Sequence, residues 1–165
     1  LPVSYGILLM GKVIAYVCIC LIQFGIILLI GIHVLPLMGT PVLEIGTSPE
    51  AVAVIVLAAA LAASGYGIAL GVFSGTYEQA SMFGPVSIVI AAALGGIMVP
   101  VYVMPETMRE ISRFSPLAWG LNGLTELFVR EGDLQSVLPE ISWLLLFAAG
   151  MLGAAWIGFS RRRRF

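Results

Sequence analysis

VIAYVCICLIQFGIILLIGIHVLPLM, residues Val13–Met38, decides how this chain is read. The stretch contains no Asp, Glu, Lys or Arg. A helix rises 1.5 Å per residue, so about 20 apolar residues cross a hydrocarbon core of about 30 Å. This run is long enough to cross with some tilt. Its surroundings agree. The chain of 165 residues is 60% hydrophobic and 10% charged, with mean hydropathy +1.07. Soluble domains carry about 25% charged residues. So few charges cannot cover a water-facing surface, which excludes an ordinary soluble enzyme.

Three further apolar runs follow: Ala51–Phe73, Phe83–Met104 and Val137–Phe159. Breaker clusters at Gly39-Thr40-Pro41 and Gly46-Thr47-Ser48-Pro49 make Gly39–Glu50 a connection. A polar link, Ser74–Met82, precedes the third run. In that run Pro85 suits a first helical turn, and Pro100 predicts a kink near the far end. The expected fold is all-α: a polytopic membrane helix bundle of four spanning helices, forming one transmembrane domain over residues 1–165.

Pro105–Ser136 is too polar to span and too apolar for a plain loop. Pro105 and Glu106 read as one helix start, with Arg113 in its last turn. Ser115 and Pro116 read as a second start, an N-cap followed by proline at the first position. Leu117, Leu121, Leu124 and Phe128 then form an apolar stripe, and Gly132 suits a stop. The segment predicts a pair of short amphipathic or re-entrant helices on the outer surface. Glu106 with Arg109, and Glu110 with Arg113, are spaced to pair locally.

The small residues Ala59, Ala63, Gly67, Gly71 and Gly75 recur every four positions. They are expected to form a helix-packing or dimer face, where a bulky residue at Gly71 would force backbones apart. Gly150, Ala154 and Gly158 make a similar stripe. Trp143 and Trp156 sit near the two ends of the last run, where interfacial aromatics belong.

Chemistry-bearing residues are sparse. Gln23 and His33 are the polar exceptions in the first run. Intramembrane polar groups point to function, so Gln23 is a candidate path-lining residue. Tyr66 is another, and Tyr16 a weaker one. Cys18 and Cys20 are two apart, on different helix faces, and read as small hydrophobes rather than a disulfide or metal pair. Gly6-Ile-Leu-Leu-Met-Gly11-Lys12-Val13 nearly spells a phosphate-binding loop. Val13 stands where the magnesium-binding hydroxyl is required, and no strand leads in. No catalytic constellation and no metal set emerges. Nucleic acid is not an expected partner, because the basic cluster Arg161–Arg164 suits a membrane-side anchor.

The order of these pieces resembles the C-terminal part of a type-2 ABC exporter permease. PVSYGILLMGK (Pro2–Lys12) precedes a span, and SGTYEQA (Ser74–Ala80) lies between two spans. MPETMREISRFSPLAWGLNGLTELFVREG (Met104–Gly132) precedes the final span and its basic tail. Within it, Pro105, Ile111, Ser112 and Pro116 follow the family's P-x5-I-S-x3-P pattern, which opens a pair of outer re-entrant helices. The resemblance implies the last four of six spans, with two N-terminal spans outside this sequence. It implies a permease without its own catalytic site or cofactor, and an export path coupled to a separate cytoplasmic ATP-binding-cassette ATPase that binds the ATP. The implied partners also include a second permease copy, equal or different, within the lipid bilayer of a bacterial or archaeal cell membrane. Tyr5, Gly6, Gly11 and Lys12 would lie at the cytoplasmic interface. The competing class is an ATP-independent secondary carrier or assembly scaffold. A secondary carrier usually needs ionisable groups inside its spans, and these are scarce here. The substrate carries no readable code.

Orientation follows from charge. Four spans put both termini on one side, with Lys12 and Arg161–Arg164. The other side holds Arg109, Arg113 and Arg130 among more acids than bases. The positive-inside rule places the termini in the cytoplasm. With Cys18 and Cys20 replaced, an impermeant thiol reagent added outside should label Asp133→Cys but not Arg161→Cys. Outside labelling of both positions would reject this topology.

Overall fold

Two small-residue helices meet along one seam. The structure, a computed structural model, describes residues 5–39 and 48–162. Residues 1–4, 40–47 and 163–165 lie outside it, as do the side chains of Tyr5, Arg161 and Arg162. Helix α2 (Pro49–Phe73) buries Ala51, Ile55, Ala58, Ala62, Gly65 and Ala69. Those positions alternate in steps of four and three. Helix α6 (Leu138–Arg162) buries Ile141, Leu144, Ala148 and Ala155, and Met151 completes the same rhythm. This 3.5-residue period keeps one stripe of each helix on its partner. The helices run antiparallel. A Cβ added to Gly65 would lie 3.2 Å from the Ala148 carbonyl oxygen, and one added to Gly158 would lie 3.2 Å from Phe73 Cε1. In lipid such contact stabilises through dispersion rather than water release, so the small residues set how close the backbones come.

Helix α1 (Tyr5–Leu29) continues through a π turn, Ile30–Val34, and a 3-10 turn, Leu35–Met38. The change of pitch has a cause. Pro36 has no N–H, and in a regular α-helix its ring would strike the carbonyl four residues back. Gly39 closes the segment at φ +82° and donates to the Leu35 and Pro36 carbonyls. The helix begins well before Val13, so Lys12 is not at its head as expected. Leu9 and Val13 pack against Ile68, Ala69 and Ala155. At the opposite end, Phe24 packs against the cluster containing Ile55 and Leu144. Most of α1 is otherwise exposed.

Among the described residues, Gly6–Met38, Pro49–Phe73 and Leu138–Ser160 are long and apolar enough to cross a membrane. The expected third span, Phe83–Met104, is not one helix. Helix α3 (Tyr77–Leu94) starts six residues earlier and stops at Gly95. The early start is a capping box. Thr76 Oγ1 accepts from the Gln79 N–H, and Gln79 Oε1 accepts from the Gly75 N–H. The stop is steric and conformational. Gly95 presses on Ser115 and Ala118, and Gly96 has φ +86°, where a side chain is unwelcome. Pro100 therefore caps a 3-10 turn, Val101–Val103, instead of kinking a helix.

The helical pair falls where expected: α4 (Glu106–Ser112) and α5 (Pro116–Val129). Three details differ. Ser115 precedes α5, but its hydroxyl donates to the Ala91 carbonyl of α3 and leaves the cap unmade. The stop after α5 places Glu131, at φ 54°, in the left-handed conformation, and the Gly132 N–H reaches back to the Glu126 carbonyl. The expected pairs of Glu106 with Arg109 and Glu110 with Arg113 do not form. Among the described residues the ion pair is Glu126–Arg130, at 2.9 Å.

The chain enters α2 at the end where α6 begins. Gly123 of α5 marks that end, because Ile55 Cδ1 of α2 fills the space its side chain would need and Glu140 Cβ of α6 lies 3.6 Å away. The chain leaves α2 at the opposite end, beside Gly158. Everything between Ser74 and Leu138 must therefore travel the full length of the bundle.

Substitution at the seam tests this packing. Gly65→Leu should destabilise the purified protein by about 1–3 kcal/mol, the usual cost of overpacking, read as a lower midpoint of unfolding in detergent. Gly71, with nothing of its own chain within 4 Å, should accept leucine with no change in the midpoint of the monomeric permease. A similar loss at both positions would reject the assignment of the seam.

Candidate functional site

The expected packing stripe is not used within the chain. Ala63, Gly67, Gly71 and Gly75 are exposed, and Ala59 is half-buried. No atom lies within 4 Å of a Cβ added at Gly67 or Gly71. The faces that do pack, around Ala58, Ala62, Gly65 and Ala69, were hard to single out. Helix α2 is so rich in Ala and Gly that several small stripes compete. The same holds for α6: Gly158 packs against Val72 and Phe73, whereas Gly150 meets nothing.

Beside that open stripe is a cleft of about 230 Å³. Ala59, Ala60 and Ala63 of α2 form its floor. Cys20 and Phe24 of α1 make one wall, and Gly120 and Leu124 of α5 the other. A second groove, of about 430 Å³, runs between α1 and α2 near Gly25 and Val52. Both are apolar and open sideways. Gln23 and Tyr16 are exposed on α1 next to the smaller cleft. Both cysteines are free.

Tyr66 joins two helices. Its hydroxyl shares a short hydrogen bond with Ser87 Oγ of α3, and Ser87 also donates to the Gly84 carbonyl at 2.8 Å. One turn away along α2, Leu70 packs on Gly84, 3.1 Å from where a Cβ would stand. At its other end α3 is held by the Ser115–Ala91 bond. The rest of α3 is largely uncovered, including Met82, Phe83, Val86 and Val89.

Aromatic stacking secures the α4–α5 pair to α6. The Trp119 and Trp143 rings lie 5.7 Å apart, nearly parallel, and Phe147 meets Trp119 edge-on. Trp119 Nε1 donates to the Arg113 carbonyl at 2.7 Å, closing the turn after α4. Trp143 was legible as an interfacial residue, but its partner Trp119 was not. At the opposite end, Gly6 lies against Trp156 of α6. Gly11 touches nothing, and Lys12 is exposed. Pro105, Glu106 and Pro116 stand where the helical pair was expected to begin.

This arrangement is a helical body with a lateral cleft, a weakly held third helix and an amphipathic pair at one end. Residues 1–129 match the ABC-2 type transporter family. The chain belongs to that family. It is thus a membrane permease of an ABC transporter, a transport component rather than a catalyst. No curated relative and no solved structure matches it. The matched region contains α1 to α5, so the loosely held α3 and the α4–α5 pair lie inside it.

The link between Tyr66 and Ser87 yields a measurable coupling. Interhelical hydrogen bonds in membranes average about 0.6 kcal/mol and reach about 1.7. A double-mutant cycle of Tyr66→Phe and Ser87→Ala, read by reversible unfolding in detergent, should give a coupling in that range. Strict additivity would remove the bond as a tie between α2 and α3.

Proposed function

We propose that this permease forms the path of an ATP-driven exporter and is driven by a separate cytoplasmic ATPase. The family match over residues 1–129 carries the reading, and the bundle geometry supports it. Helix α3 with the irregular segment after it makes the fourth crossing, because the chain must pass from the Phe73 end to the Leu138 end. Its 18 residues reach about 27 Å, close to the thickness of the hydrocarbon core. Backbone outside helices at membrane depth is tolerated where protein or a water-filled cavity covers it. Residues 95–104 fit that role beside a second permease copy.

In this reading both termini are cytoplasmic, in a bacterial or archaeal cell membrane. The uncovered part of the stripe at Gly67, Gly71 and Gly75 offers a close-approach surface to a second copy, while Ala59 and Ala63, farther along it, floor the cleft. Gln23 is exposed on α1 beside Phe24, a residue of the cleft wall. The first turns of α1, from Tyr5 to Lys12, sit at the cytoplasmic end, where they meet the ATPase or the headgroup layer. Power comes from outside the chain. Gly6–Val13 lies within one continuous helix, whereas a phosphate-binding loop needs a strand, a turn and then a helix. The working cycle is a rocking of two permeases as their ATPases close and reopen.

Photo-crosslinking with labelled azido-ATP separates the two polypeptides. The purified permease alone should take up no label that unlabelled ATP competes away, and the label should appear on the ATPase of the complex. Competable labelling of the isolated permease would reject this division of labour.

A further inference from the structure

Helix α1 is apolar except along one side. Lys12, Tyr16 and Gln23 succeed one another at steps of four and seven, which stacks them on a single face. All three are exposed. Cys20 stands between them, one turn beyond Tyr16 and one turn short of Gln23, and forms the α1 wall of the 230 Å³ cleft. The polar face therefore borders an apolar recess.

Depth gives this juxtaposition its meaning. Leu9 and Val13, on either side of Lys12, pack with Ile68, Ala69 and Ala155. Ile68 is five residues from the end of α2 at Phe73, and Ala155 is five residues from Ser160. Lys12 thus attaches roughly 7–10 Å inside the ends of its neighbouring helices, Phe73 of α2 and Arg162 of α6. It makes no ion pair among the described residues. An ammonium tethered at that depth costs free energy unless it reaches the headgroup layer or meets an anion. The cleft lies near the middle of α2, two turns beyond Lys12, about 12 Å along α1. No residue lining it is charged. Charge at one leaflet's depth, followed by an apolar recess near the bilayer centre, is the layout of a lipid-like molecule.

We propose that this face and cleft form a lateral entry site for an anionic amphiphile that the permease exports. The anionic head lies beside Lys12 and Tyr16. The alkyl chain lies in the cleft between α1, α2 and α5, where Ala59 and Ala63 leave room for it. Gln23 is the next polar station along the same face, on the far side of the recess. The assignment rests on the permease reading above, and it names the chemical class of the cargo.

The test uses the full-length permease with its ATPase in phosphatidylcholine vesicles. Two photoreactive probes share one diazirine-bearing alkyl chain: an alkyl phosphate and an alkylphosphocholine. Without ATP, the alkyl phosphate should label cleft peptides. Lys12→Gln should reduce that labelling about fivefold, the value of one cation near an anionic surface, and Lys12→Arg should restore it. Ala63→Leu, which fills the recess, should also reduce it. The phosphocholine probe should label weakly and ignore Lys12→Gln. Equal labelling by both probes, or indifference to both Lys12→Gln and Ala63→Leu, overturns the site. Disulfide linkage of two permeases through Gln23→Cys, with no probe labelling, overturns it in favour of a second copy. With ATP, labelling should fall as the probe moves to the opposite leaflet. Labelling that depends on Lys12 but is unchanged during ATP turnover identifies a resident lipid and overturns the cargo assignment. An ATPase that fails to associate overturns the permease reading instead, a result distinct from any outcome of the labelling without ATP.

Discussion

Close approach between α2 and α6 is the constraint on which the rest of this protein depends. Both helices are apolar on every side, so burial of greasy surface cannot choose a partner face inside a membrane. Shape has to do it. The steps of four and three through Ala51, Ile55, Ala58, Ala62, Gly65 and Ala69 match those through Ile141, Leu144, Ala148, Met151 and Ala155. Large residues, Ile55 and Leu144, occupy the half nearer α5, and Ala62, Gly65, Ala69, Met151 and Ala155 line the other half.

That antiparallel seam dictates the topology around it. It separates the end of α2 from the start of α6 by the whole length of the bundle, so α3, α4 and α5 must carry the chain back. Helix α5 locks in, with Ile55 seated against Gly123 and Trp119 stacked on Trp143. Helix α3 does not. It touches the body through Tyr66 and Leu70 midway and through Ser115 at its end. The molecule thus divides into a firmly packed part and one helix held by few ties, as a transporter that must change shape requires.

Most of the architecture was legible in the sequence because membrane helices announce themselves by length and apolarity. The two helix starts at Pro105 and Ser115-Pro116 were also readable, since proline at a first turn is a local signal. What failed was not local. Ser115 looked like a cap, but its hydroxyl found a carbonyl on α3. Gly132 looked like the stop, but Glu131 takes the left-handed turn. The α2–α6 seam runs through Gly65 and Ala69, a small-residue stripe that the sequence offers beside the one at Gly67 and Gly71. In each case a tertiary neighbour chose between alternatives that the sequence leaves nearly equal. The start of α3 is a different matter: Thr76-x-x-Gln79 carries the local capping signal in the sequence itself.

The length of α1 has a consequence for the surrounding lipid. Beyond Lys12 the apolar run Val13–Met38 has 26 residues, about 39 Å if wholly helical, against a hydrocarbon thickness of about 30 Å. Helix α2 has 25, about 37 Å. Both overshoot the hydrocarbon core, and every added ångström of mismatch costs a fraction of a kcal/mol. The annulus of lipid around them must thicken, or both helices must lean. Acyl-chain length and sterol-like stiffeners therefore act on this protein as mechanical variables, shifting the balance between its postures without binding to any one residue.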